Sequence, residues 1–83
     1  MKVDIHPHAR TRMLERGIEE SEIIDTVEKG EQFPVKYGRT GFRCNFVFDK
    51  LWNGKHYSLK QIEAYAVKEN NKWLVITIIA KYF

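Results

Sequence analysis

Asn53-Gly54 sits between two strand-like runs in the second half of the chain. An Asn-Gly step in that setting is the strongest short-range hairpin signal. A type I′ turn needs positive φ at both central residues, and these two residues tolerate it. The run before the turn, Phe42-Arg43-Cys44-Asn45-Phe46-Val47-Phe48, alternates apolar and polar residues up to Val47. That pattern fits a strand covered mainly on one face, with Cys44 on the buried side beside Phe42 and Phe46. The run after the turn is ambiguous. Ile62, Ala64 and Ala66 alternate with Gln61, Glu63, Tyr65 and Val67, but Leu59 is out of phase with Ile62. A bulge near Lys60 reconciles them. A helix over residues 59–68 is the rival reading, because Ala, Leu, Lys and Glu favour it. A strand is preferred, since Asn70-Asn71 then makes a second tight turn. Residues 72–82 follow, β-branched and aromatic and apolar on both faces, as in a central strand. Residues 33–37 supply a possible edge strand with Pro34 at its start.

The first half has a different period. Pro7 favours the first position of a helix, where its missing N–H costs nothing. Gly17 suits the left-handed stop, so residues 7–16 read as one helix. A second runs from Ile18 to Lys29, with Ile23, Ile24 and Val27 on one stripe. Ile18 can staple onto Ile23, Glu22 holds the capping-box position, and Glu19 is a poor N-cap. The fold class is therefore α+β: two N-terminal helices on a twisted antiparallel sheet of three or four strands. Ile23, Ile24, Val27, Phe46, Ile76 and Ile78 are expected to share its core. With 83 residues there is room for one domain, 1–83, and one core.

Composition narrows the classes. One cysteine excludes an internal disulfide framework and a Cys-rich zinc module. The longest apolar run, from Trp73 to Ala80, is far short of the roughly 20 residues of a membrane span. No signal-type apolar region opens the chain. A soluble protein of the reducing cytoplasm, without membrane contact, is expected. Charge is unevenly placed. Residues 19–31 hold six acids and one base, while the whole chain is +3, so the remainder is strongly basic. Such asymmetry would draw a polyanion to one side. A helix-turn-helix reader of DNA is excluded by the same count, because its second helix would carry the acids into the phosphates.

His8, Arg12 and Arg16 fall at i, i+4 and i+8 and share one helix face. A neutral imidazole beside such cations can serve as a general base. The bland alternative is a solvated stripe with Arg16 capping carbonyls. Arg39, Arg43, Lys55, His56 and Lys60 interleave with Tyr37, Phe42, Trp52 and Tyr57, a pattern that can hold phosphates and stack bases. The alternative is that the aromatics pair within the sheet, which suits Phe42 and Trp52 better. His6, His8, Cys44 and His56 match no metal-ligand spacing, so no metal and no cofactor is expected. Neither a Gly-rich phosphate loop nor a nucleophile elbow is present.

His8-Ala9-x-x-Arg12-Met13-x-x-Arg16-Gly17-Ile18 resembles the opening of a bacterial domain-of-unknown-function family. Gly54-Lys55-x-Tyr57-x-x-Lys60-Gln61-Ile62-Glu63 and Val75-Ile76-Thr77-Ile78-Ile79 are similar to its later stretches. That family looks like a distant branch of the small ribonuclease toxins of the RelE/ParE and BrnT kind. The resemblance implies helices on a twisted antiparallel sheet and an antitoxin partner that occludes a basic face.

Three functions compete. The first is a metal-independent endoribonuclease of a toxin–antitoxin pair, using the RNA 2′-hydroxyl as nucleophile. His8 and Glu63 would be its proton-transfer groups, facing each other across a cleft between the first helix and the sheet. Arg12, Arg16, Arg43 and Lys60 would bind phosphate, with Arg12, Arg43 and Lys60 on one basic face. The second is a non-enzymatic module that holds RNA or an acidic protein. The third is a small interaction protein that dimerises through its open sheet face, with Trp52, Tyr65 and Trp73 as anchors.

Overall fold

The computed structural model describes residues 2–83. Strand β1 (Lys2–Ile5) leads into helix α1 (Pro7–Arg16) and helix α2 (Glu20–Lys29). Strands β2 (Glu31–Pro34), β3 (Thr40–Trp52), β4 (Lys55–Glu69) and β5 (Lys72–Tyr82) follow. They make one five-stranded sheet in the order β1-β5-β4-β3-β2. β2 to β5 form an antiparallel meander, and β1 adds in parallel to β5. The sheet is thus mixed, with five strands rather than three or four. The strand reading of residues 59–68 holds.

Local chemistry accounts for the helix ends. Pro7 opens α1, and Gly17 closes it at φ 65 with its N–H on carbonyls of the last turn. Glu19 caps α2 through a reciprocal box with Glu22, whose carboxylate accepts the Glu19 N–H at 2.9 Å. Both hairpins use left-handed residues, at Asn53 and Gly54 and at Asn70 and Asn71. β1 escapes the sequence reading because Lys-Val-Asp-Ile alternates for too few residues to count. β2 ends at Pro34 instead of starting there. Tyr37 and Gly38 both have positive φ and build the turn into β3.

The helices cover one face of the sheet. Ala9, Ile18, Ile23 and Val27 meet Phe42, Ile62, Ala64, Ala66, Val75, Ile78 and Ile5 in the core. Of the expected core, Ile23, Val27 and Ile78 are buried, and Phe46 packs at the margin. Ile24 and Ile76 are half-exposed, as is Cys44. Ile76 departs because β4 and β5 slip register between Tyr65 and Ala66, which pair with Thr77 and Val75 and leave Ile76 unpaired between them. The other bulge lies between Val47 and Lys50, opposite Leu59 and Tyr57 and so beside Lys60, with the extra residue on β3 instead of β4. No helix of the described residues is long and apolar enough to cross a membrane.

α1 runs past the point where β1 stops. Ile5 is the last residue of β1 and pairs with Val75. Beyond it the Arg16 guanidinium donates to the Ile78 carbonyl, and the Tyr82 hydroxyl donates to the Arg16 carbonyl at 2.8 Å. The Arg16 side chain thereby satisfies one carbonyl of β5 beyond the end of β1, and the Tyr82 hydroxyl satisfies a carbonyl in the last turn of α1.

Candidate functional site

β4 places the expected site residues on opposite sides. Successive side chains on a strand alternate, so Lys60, Ile62 and Ala64 face the helices while Gln61, Glu63 and Tyr65 face away. Lys60 is 3% exposed. Its ammonium donates to the Gly17 carbonyl and to Glu22 Oε1, the latter at 2.7 Å. It lies 5.6 Å from the Phe48 ring centre and 5.9 Å from that of Tyr82. Trp52 stacks on Tyr82 at 5.1 Å, and Phe48 and Tyr57 complete the cluster. Lys60 therefore anchors the α1–α2 turn and is closed to phosphate. These aromatics pack on one another instead of offering faces to bases. Arg43 lies on the other side of the sheet, so the single basic face of Arg12, Arg43 and Lys60 does not form.

On the open face Glu63 is 5% exposed yet fully partnered. It accepts from Arg43 Nε at 3.2 Å and Tyr65 Oη at 3.0 Å, with Lys81 Nζ at 3.5 Å. Burial pushes its carboxyl pKa up. The Tyr65 and Arg43 hydrogen bonds and the nearby Lys81 and Arg43 charges outweigh that, and the net shift is downward. Burial, and then the hydrogen bond and charge of Glu63, push the Tyr65 phenol upward. Arg43 also sits over the Phe33 ring at 4.5 Å from its centre. A carboxylate held ionised by three donors is a weak base, so Glu63 is poorly suited to take a proton.

His8 is not among the partners of Glu63. The cleft in which the two were expected to face each other is replaced by a recess of about 300 Å³ lined by His6, His8, Arg39, Ile76 and Thr77. Its construction is local. His6 is the N-cap of α1, and its Nδ1 accepts the His8 N–H at 3.0 Å. The His6 N–H donates to the Val75 carbonyl at 2.8 Å, tying the cap to β5. With Nδ1 accepting, the neutral His6 ring carries its proton on Nε2. His8 follows in the first turn and is exposed. The bulge at Ile76 turns that side chain toward the recess. Arg39 comes from the β2–β3 loop and has no ion-pair partner among the described residues. Thr77 is the cross-strand neighbour of Tyr65, so the recess adjoins the row next to Glu63.

The stripe His8, Arg12, Arg16 divides its labour. Arg16 grips the β5 edge, Arg12 pairs with Glu15 at 3.1 Å, and His8 reaches the recess. Arg39 is one of the cations the sequence offers for phosphate, whereas the place of His6 and Thr77 in the site escapes the sequence reading. Their signal is only a residue before Pro7 and a lone hydroxyl in an apolar strand. A second recess, about 350 Å³, is lined by Val3, Val27, Glu28 and Trp73 and holds one ionisable group. Trp52 and Trp73, expected as dimer anchors, pack internally against Tyr82 and Phe42. The described residues contain no group of three or more His, Cys, Asp or Glu side chains placed to hold a metal ion.

Fold and site together define a small α+β protein with an open, charged sheet face beside a histidine-lined recess. A family model described as a domain of unknown function (DUF4258) matches residues 5–80, and the chain belongs to that family. Neither a curated protein nor a solved structure matches it.

Proposed function

We propose that this protein is a metal-independent endoribonuclease that cleaves RNA at the His6–His8–Arg39 recess. The reading is in keeping with the resemblance to RelE/ParE and BrnT toxins. One observation carries it: two imidazoles and an unpaired guanidinium converge on one solvent-open recess at the rim of the sheet. Imidazole is the side chain best suited to proton transfer near neutrality. In the proposed reaction His8 accepts the proton of the RNA 2′-hydroxyl. The 2′-oxygen bonds to phosphorus, the bond from phosphorus to the 5′-oxygen breaks, and that oxygen takes a proton from water, whose hydroxide is neutralised by the proton held on His8. The products are a 2′,3′-cyclic phosphate and a 5′-hydroxyl. Arg39 and the His6 Nε2–H hold the non-bridging oxygens as negative charge develops. Arg43 and Lys81 on the open face extend a cationic track for neighbouring phosphates, while Arg12 stays on the helical side, one turn from His8. Glu63 is a positioning residue that holds Arg43 and Tyr65, and Arg16 positions α1. An acidic antitoxin covering this track fits the resemblance, and RNA as substrate fits a cytoplasmic setting.

The test is incubation of purified protein with RNA in EDTA, followed by analysis of the cleaved ends. Cyclic phosphate and 5′-hydroxyl termini are expected. His8→Ala should lower the cleavage rate by about 10²–10⁴-fold while RNA binding stays nearly intact. Cleavage at the wild-type rate by His8→Ala, or no cleavage by the wild type at any concentration, overturns the proposal. RNA binding without cleavage leaves a non-enzymatic binding module in its place.

A further inference from the structure

The recess does not stand alone on the open face. Phe33 pairs with Gly41, Gly41 with Tyr65, and Tyr65 with Thr77, so one cross-strand row leads from the β2 edge into the recess. The row is built around a missing side chain. A Cβ at Gly41 would overlap the Phe33 ring, which therefore lies over the glycine. There the ring meets Tyr65 edge-on, with centroids 6.2 Å apart and planes at 88°. The Arg43 guanidinium rests 4.5 Å from the Phe33 centroid. Both rings stay half-exposed although nothing in the helical layer touches this side. Arg43 is fixed by Glu63, and Tyr65 is fixed by its hydroxyl on the same carboxylate. Two rings and a guanidinium plane are thus held in place on a solvent-facing surface; Tyr65 is one strand spacing of about 4.8 Å from Thr77, while Arg43 and Phe33 lie two and three strands from it.

We infer that Phe33, Tyr65 and Arg43 form a stacking subsite for an unpaired base of the RNA whose phosphate enters the His6–His8–Arg39 recess, which makes single-stranded RNA the substrate class. The inference rests on the function proposed above. Aromatic rings and arginine planes bind splayed bases irrespective of sequence, because every base has a π-face. Bases within a duplex are already stacked and cannot use such a platform. The Glu63 carboxylate supplies the rigidity: it holds the ring and the guanidinium at fixed positions, so little freedom is lost when a base arrives.

The experiment measures anisotropy of a labelled eight-nucleotide RNA, offered single-stranded, as a duplex, and with one abasic position walked along it. Each is tested against wild type, Phe33→Leu and Phe33→Tyr. Wild type should prefer the single strand. One abasic position should weaken binding, and Phe33→Leu should weaken it by about 5- to 150-fold. Phe33→Tyr should restore it, and duplex binding should not change. Thermal melts of each variant separate loss of the platform from loss of the fold. If wild type binds the single strand and Phe33→Leu, folded, binds it equally, the subsite is wrong and the proposed function survives. Equal affinity of wild type for duplex and single strand also overturns it. If wild type binds no RNA in any form, the subsite and the function fall together.

Discussion

Lys60 and Glu63 stand three positions apart on β4, both ionised-type side chains and both almost fully buried. They face opposite sides of the sheet and have opposite surroundings. Lys60 lies under the helices, against the Gly17 carbonyl, Glu22 and two aromatic rings. Its partners come from the α1–α2 turn, so it ties the helical layer to the sheet. Glu63 has no layer above it. Arg43, Lys81 and Tyr65 bury it from the flanks, and all of them belong to the sheet. One charge is buried by architecture, the other by its own ligands. A charge of the first kind is committed to stability. A charge of the second kind orients groups that remain reachable from solvent, and for that reason the functional reading belongs to the open face.

The comparison breaks most readily at Lys60. Lys60→Ala leaves the Gly17 carbonyl without its Lys60 donor and Glu22 without its cation, at a cost of about 3–5 kcal/mol in urea unfolding. Lys60→Met combined with Glu22→Gln should recover much of that loss, since both charges are then gone. A Lys60→Ala protein with the wild-type urea midpoint would erase the distinction between the two faces.

Glu63→Gln should cost less, about 1–2 kcal/mol at pH 7, because the amide still accepts from Tyr65. Its clearer signature is in acid. The folded-state pKa of Glu63 is lowered from the ordinary 4.5. Its contribution to stability is therefore present above about that pH and is lost as the pH falls through the lower folded value. Wild type should lose stability over that window more steeply than Glu63→Gln, as followed by thermal melts at successive pH values. Parallel curves for the two proteins would show that the carboxylate charge is not what the open-face ligands hold.

The smallest effect concerns the helix stripe. Arg12 pairs with Glu15 in solvent, at 42% and 55% side-chain exposure. Arg12→Ala should change stability by about 0.5 kcal/mol or less, within the range of exposed pairs. A loss comparable with that of Lys60→Ala would mean that α1 is anchored at Arg12 and not at Arg16.

Much of the fold was legible in short-range terms. Pro7, Gly17, the Glu19–Glu22 box and the two asparagine turns act through their own backbone geometry, and each does in the structure what its chemistry predicts. The candidate site was legible in part. His8 was found through its spacing from Arg12 and Arg16, because helical periodicity places neighbours on one face. Lys60 was misread for a physical reason. A lysine among aromatics looks the same in sequence whether the rings offer their faces to a ligand or enclose the ammonium, and only packing separates the two. Arg43 and Lys60 were assigned to one surface although residues facing each other across β3 and β4 obey a register the sequence does not state.

The sequence by itself determined the two helices, the Gly17 stop and the position of the hairpin turns, and it favoured a strand over a helix for residues 59–68. Those depend on contacts within a few residues and on the periods of 3.6 and 2. Only the tertiary structure decided that β1 joins in parallel beside β5, which pairs residues some seventy positions apart. It likewise decided that Ile76 bulges and that His6, His8 and Arg39 meet. These depend on register and on which edge of the sheet the chain returns to, and burial of the whole core selects both, since a one-residue slip would turn every core side chain of a strand to the other face.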